Sequence, residues 1–225
     1  MRRCFVLLFC LVTNLLLGQT INLKLQKELD SIYVLDQKYR ELMYTDMNKY
    51  GDSLAAALGV SRENIQSKLW ELQNKVDASN IIRVEAILKQ YGYPGKTLVG
   101  EPANKAVFYV VQHSRVINQY LPLVKEAAEQ NEIPFQLYAM MLDRSLMEQG
   151  KEQIYGTQGQ IFEVKNPKTG NKEVMDIIWP IQDPDHVNER RKAAGFALTV
   201  EENAKRLDTV YKVYTLEEIK KLKGH

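Results

Sequence analysis

Leu137, Tyr138, Ala139, Met140, Met141 and Leu142 are six apolar residues in succession, and Asp143 and Arg144 follow at once. Pro134, just upstream, suits the first turn of a helix, where its missing N–H is not needed. Six apolar residues in a row cover every face of that helix, which places it in the middle of a helical bundle. The acid and base at its end are then expected in or next to the interior. A buried ion without a partner costs several kcal/mol, so the rest of the chain has to supply partners for both.

The remaining patterns are mostly helical. Leu25, Leu29, Ile32, Asp36, Tyr39 and Met43 advance by alternating fours and threes, which is one face of a long helix over residues 21–50. A second helix is expected after Ser61 as cap, and a third over 79–91, stopped by Gly92, Tyr93, Pro94 and Gly95. Glu101 and Pro102 open another, with Ala106, Val110, His113 and Ile117 as its core stripe. Pro122 permits a short helix to about Glu129. Between 159 and 180 the character changes: Ile161, Phe162 and Val164 flank a polar, Gly- and Pro-containing turn, with Val174, Met175, Ile177 and Ile178 beyond it. That reads as a β-hairpin. Asp183 with Pro184 starts a helix over 185–194 that Gly195 ends, and Thr199 with Glu202 and Thr215 with Glu218 have capping-box spacing. A short strand is expected over 210–214. The fold class is mainly α: a single helical domain, residues 19–225, with one inserted hairpin near 160–180.

The first 18 residues stand apart. Arg2 and Arg3 precede an uncharged run, and small and polar residues follow at Gly18, Gln19 and Thr20, the pattern of a secretory signal peptide. The run is shorter than the roughly 20 residues of a membrane span, and Thr13 and Asn14 interrupt it. Phe9 before Cys10 puts a bulky ring where a lipoprotein signal needs a small residue. Cleavage after Gly18 predicts an exported protein, periplasmic or secreted, with no transmembrane span. Removal of two of the 30 basic residues would leave 28 against 28 acidic ones, so overall charge gives no support for nucleic-acid binding. Both cysteines, Cys4 and Cys10, would leave as well. Disulfides, thiolate metal sites and a cysteine nucleophile are then excluded from the mature chain.

Ionisable residues interrupt the apolar stripes at four places. Asp36 lies on the first helix with Arg40 one turn later, in the favourable order of acid before base. His113 takes a core slot on its stripe, Asp143 and Arg144 end the most apolar helix, and Arg191 with Arg190 falls between Val187 and Ala194. Residues 153–158, Gln-Ile-Tyr-Gly-Thr-Gln, join the buried helix to the hairpin with amides, hydroxyls and a flexible glycine. A register-setting Asp36–Arg40 pair, a hydrogen-bonded core histidine and a buried bridge from Asp143 are the structural readings of these groups. His186 and His225 are expected in solvent.

In order, Asp36-Gln37-Lys38-Tyr39-Arg40, Tyr91-Gly92-Tyr93-Pro94-Gly95, Gln112-His113, Leu142-Asp143-Arg144, residues 153–158, and Asp183 with Val187-Asn188-Glu189-Arg190-Arg191 and Gly195 resemble a family of uncharacterised, often exported bacterial proteins, a domain of unknown function. The resemblance implies that Asp36, Gln37, Arg40, His113, Asp143, Arg144, Gln153, Tyr155, Gln158, Asn188, Arg190 and Arg191 are signature positions. It implies no activity.

Two functions fit these residues. In one, an exported enzyme or receptor acts on a small polar or anionic molecule, with His113 as general base, Asp143 orienting it, and Arg144 with Arg190 or Arg191 clamping the anion. Gln37, Gln153, Tyr155, Gln158 and Asn188 would line that site with Asp36 and Arg40. Without a cysteine or a Gly-x-Ser-x-Gly elbow, water is the expected nucleophile, so hydrolysis is the leading chemistry. A metal held by His113, Asp36 and Asp143 has no supporting local spacing, and the residues do not identify a cofactor. In the other, a non-catalytic envelope module uses the same charges as a sealed structural network. The first requires His113, Asp143 and the consecutive arginines to meet at one open pocket.

Overall fold

The structure, a computed structural model, describes residues 20–165 and 170–223, so the signal-peptide segment, the hairpin tip and His225 lie outside the described residues. Ten α-helices and one two-stranded antiparallel hairpin make up the described part, which is the mainly α architecture with an inserted hairpin that the patterning predicts. No helix among the described residues is long and apolar enough to cross a membrane.

Helix α1 (Leu23–Met43) starts where the Asn22 side chain accepts from the Leu25 N–H, and it ends with the last residue of its stripe, short of the expected residue 50. Asp46 caps a new helix, α2 (Met47–Leu58), by accepting from Asn48 N–H. One long helix, α3 (Ile65–Tyr91), replaces the two expected over this stretch. Ser79 is therefore an interior residue rather than a helix start, and no glycine or proline interrupts the 27-residue run. After α4 (Lys96–Val99), a 3₁₀ turn leads into α5 (Ala106–Val111), which stops two residues before His113. Helix α6 (Ile117–Glu129) absorbs Pro122, and α7 (Phe135–Glu148) carries the apolar run.

Phe108 of α5 sits at zero exposure among Leu29 and Ile32 of α1, Val84 and Ile87 of α3, Val124 of α6 and Met141 of α7. Each such side chain contributes about 1.5–3 kcal/mol by leaving water. Strands β1 (Gly159–Lys165) and β2 (Lys172–Ile178) pair with Gly159 opposite Ile178. Helices α8 (Val187–Ala193) and α9 (Val200–Arg206) close a smaller core of Ile178, Ile181, Val187, Val200 and Ala204 beside the hairpin base. Helix α10 (Leu216–Lys223) buries Ile219 against Ile177 and Trp179. Both expected capping boxes form: Thr199 and Glu202 exchange bonds at α9, and Thr215 and Glu218 do so at α10. Residues 210–214 are not a strand, since no neighbouring strand offers them a ladder.

Candidate functional site: two polar clusters around one helix

Successive residues on an α-helix point about 100° apart, and this separates Asp143 from Arg144. Asp143 is fully buried and faces the 153–158 loop. Its Oδ1 accepts from Ile154 N–H at 2.8 Å and Tyr155 N–H at 3.0 Å. Its Oδ2 accepts from Thr157 N–H at 3.0 Å and the Thr157 hydroxyl at 2.9 Å. Burial raises the carboxyl's pKa, against the pull of these hydrogen bonds. Every contact is a donor, as an ionised carboxylate needs.

The arginines hold the same loop by its carbonyls. Arg191, 2% exposed, donates to Tyr155 O at 2.7 Å and Leu198 O at 2.8 Å, and its guanidinium lies 4.7 Å from the Phe196 ring centre. Arg190 donates to Ile154 O, Gln182 O, Asp183 O and the Asp183 carboxylate. Gln153 bridges Gln158 O and Trp179 O through its amide N–H2, and accepts from Gln158 N–H. Gln158 in turn donates to the Thr157 hydroxyl. Asn188 accepts from Val200 N–H and donates to Glu201, which ties α8 to α9. The Tyr155 ring packs beside Phe196. Gly156 takes a left-handed φ of 66°, and a Cβ there would come within 2.7 Å of Ile181 and Val200. The loop is thus a satisfied knot, with its acceptors and donors turned inward.

Arg144 faces the other way, into a groove of about 420 Å3 lined also by Gln37, Arg40, Trp70, Tyr109, Gln112 and His113. His113 is not in a core slot. Because α5 ends at Val111, the imidazole stands in the following turn, at the surface, where Arg144 Nη1 lies 3.3 Å from its Nδ1. A guanidinium only donates, so Nδ1 carries the lone pair and Nε2 the proton. Part of the ring reaches solvent, yet burial of the rest and the nearby Arg40 and Arg144 charges hold its pKa well below the ordinary range. It is neutral at pH 7.

Arg40 departs from the simple α1 pair. Its Nε is 3.6 Å from Asp36 Oδ2, while its Nη2 donates to both oxygens of Asp77 on α3, at 2.7 and 2.8 Å. Gln73 donates to Asp77 as well, and Gln37 donates to Asp36. Burial raises the Asp36 pKa to about 6, opposed by Arg40 and reinforced by the Asp77 charge. Between its ordinary 3.8 and this value the folded chain holds more protons than the unfolded one, so Asp36 subtracts stability as pH rises through that window. Relative to wild type, Asp36→Asn is expected to gain about 2–3 kcal/mol between pH 4 and pH 8. Thermal melts at both pH values check this; a relative gain on acidification instead would show that the acid is held ionised.

The structure therefore divides the expected site. Gln37, Arg40, His113 and Arg144 are brought to one groove with Asp36 buried behind Arg40 and Gln37, and Asp143, Gln153, Tyr155, Gln158, Asn188, Arg190 and Arg191 to the loop knot. Asp143 does not orient His113, because its oxygens are taken by the loop. Sequence reasoning missed Gln73 and Asp77, whose signal was present: Gln73 and Asn80 interrupt the α3 stripe of Ile65, Leu69, Val84 and Ile87 as Asp36 interrupts that of α1. Dividing α3 into two helices concealed it.

No curated protein and no solved structure matches this chain. A family model described as a family of unknown function, DUF6624, matches residues 55–215. That stretch spans the loop knot, His113 and Arg144 and leaves α1 outside, and since it covers most of the chain, the protein belongs to this family of unknown function.

Proposed function

We propose that the groove between α1, α3, α5 and α7 binds a small molecule bearing a carboxylate or phosphate. The observation that carries this reading is Arg144. It forms no ion pair among the described residues, and its Nε is buried without an acceptor, as is the Nε of Arg40 across the same groove. Arg40 has Asp77 and Asp36 beside it, whereas Arg144 has a neutral imidazole, the like charge of Arg40, and the Glu148 carboxylate one turn on, whose charge it feels without forming an ion pair. Among the described residues the groove wall carries no acidic side chain, so an anionic guest at the outer N–H groups of Arg144 would supply the missing counter-charge and offset the repulsion between the two guanidiniums. The same negative charge would raise the His113 pKa toward its usual range, so that binding takes up a proton as pH falls. Binding is better supported than hydrolysis, because a histidine held neutral with no carboxylate to orient it is a weak general base in the empty groove. For the knot around Asp143 the structural reading is favoured, since its polar groups already answer one another.

The test is a thermal-shift titration with inorganic phosphate and acetate on wild type and on Arg144→Met. Wild type is expected to gain several degrees at saturating anion, and the variant little or none. An equal response from both, or none from wild type, sinks the reading. Export belongs to the same proposal and rests on the leader pattern alone. Mass spectrometry of protein recovered outside the cytoplasm is expected to find Gln19 as its first residue; an intact Met1–Gly18 segment would count against it.

A further inference from the structure

We propose, resting on that anion site, that the guest of the groove carries its acid on a six-membered ring, aromatic or pyranose, one face of which lies against Trp70 and Tyr44. Both line the groove beside Arg40 and Arg144. Trp70 of α3 is 49% exposed and Tyr44, at the end of α1, is 91% exposed. Tyr109 of α5 supplies a third ring, held firm by Tyr33 and Phe108 at centroid distances of 5.1 and 5.2 Å.

The contrast with the other tryptophan is informative. Trp179 is buried, and its indole N–H donates to Lys151 O at 2.7 Å. Trp70 makes no hydrogen bond and no ring pair among the described residues, and it leaves much of its indole in water. Inorganic phosphate would satisfy Arg144 and leave this aromatic wall wet. A ring places its face or its C–H edge on the π surfaces, while its acid reaches the guanidiniums. At about 420 Å3 the groove falls near the lower end of small-molecule sites, room for one ring and its substituents rather than a polymer. Trp, Tyr and two Arg around one concavity are also the residue types that dominate binding energy where one face of a guest is apolar and one end charged.

Trp70 reports on its own occupancy. Acetate, benzoate and glucuronate are titrated into the full chain, following indole emission and the His113 imidazole resonances, in wild type and in Trp70→Ala. Benzoate or glucuronate is expected to bind about tenfold tighter than acetate and to quench Trp70, and in Trp70→Ala the ratio of ring-acid to acetate affinity is expected to fall to about one. Whichever of the two acids holds the advantage identifies the ring. If ring acids bind no tighter than acetate, or if Trp70→Ala keeps the preference, the ring is overturned and the anion site stands. If acetate, benzoate and glucuronate all fail to bind wild type and inorganic phosphate gives no thermal shift either, both are overturned; if phosphate alone binds, the ring is overturned and the anion site stands.

Discussion

Asp143→Ala is expected to melt about 10 °C or more below wild type. The substitution removes one fully buried carboxylate and strands the N–H groups of Ile154, Tyr155 and Thr157 together with the Thr157 hydroxyl. Each unsatisfied buried donor costs about 1–3 kcal/mol. Even with relaxation the sum is about 4 kcal/mol, and each kcal/mol shifts the midpoint of a chain this size by about 2–4 °C. Asp143→Asn keeps one acceptor and turns an amide N–H2 toward the remaining donors, so it should lose nearly as much. Differential scanning calorimetry measures both. A drop under about 2 °C would mean that water reaches the loop and that the carboxylate is free for other work.

Arg191→Ala should cost about 3 kcal/mol in chemical denaturation, because the carbonyls of Tyr155 and Leu198 lose their buried donor and the knot loses a positive charge that interacts with Asp143. Arg191→Lys is not expected to rescue it. A single ammonium cannot reproduce donation to two separated carbonyls along with stacking on Phe196. The two positions answer to the same loop, so the double variant should fall short of the sum of the singles by about 0.5–3 kcal/mol. Strict additivity would show two independent anchors instead of one knot.

These effects bear on what the sequence disclosed. The helical class, the hairpin and both capping boxes were legible, because periodicity, turn composition and the spacing of Thr and Glu are local properties of the chain. Asp143 was legible as a buried acid, since no face of a helix behind six apolar residues is left for it in water. Its partner was not. Which way a side chain turns from the end of a buried helix depends on the packing of the following loop, and one helical step sends Asp143 and Arg144 into different surroundings. His113 was misplaced for a related reason: its stripe continued past the true end of α5, and periodicity alone does not mark where a helix stops. Arg40 was paired with Asp36 because they share a helix, while Asp77, 37 residues away, makes the shorter contacts. The aromatic rim was invisible, since Tyr44, Trp70 and Tyr109 come from three separate helices.

The placement of Asp143 and Arg144 on adjacent positions of α7 gives the molecule a division of labour. One residue fastens the hairpin half of the chain, and its neighbour furnishes the concave half, with no side chain of residues 153–158 on the groove wall. On the proposed reading, substitutions at Gln37, Trp70 or Tyr44 would change what the groove accepts while leaving every bond that fastens the loop in place.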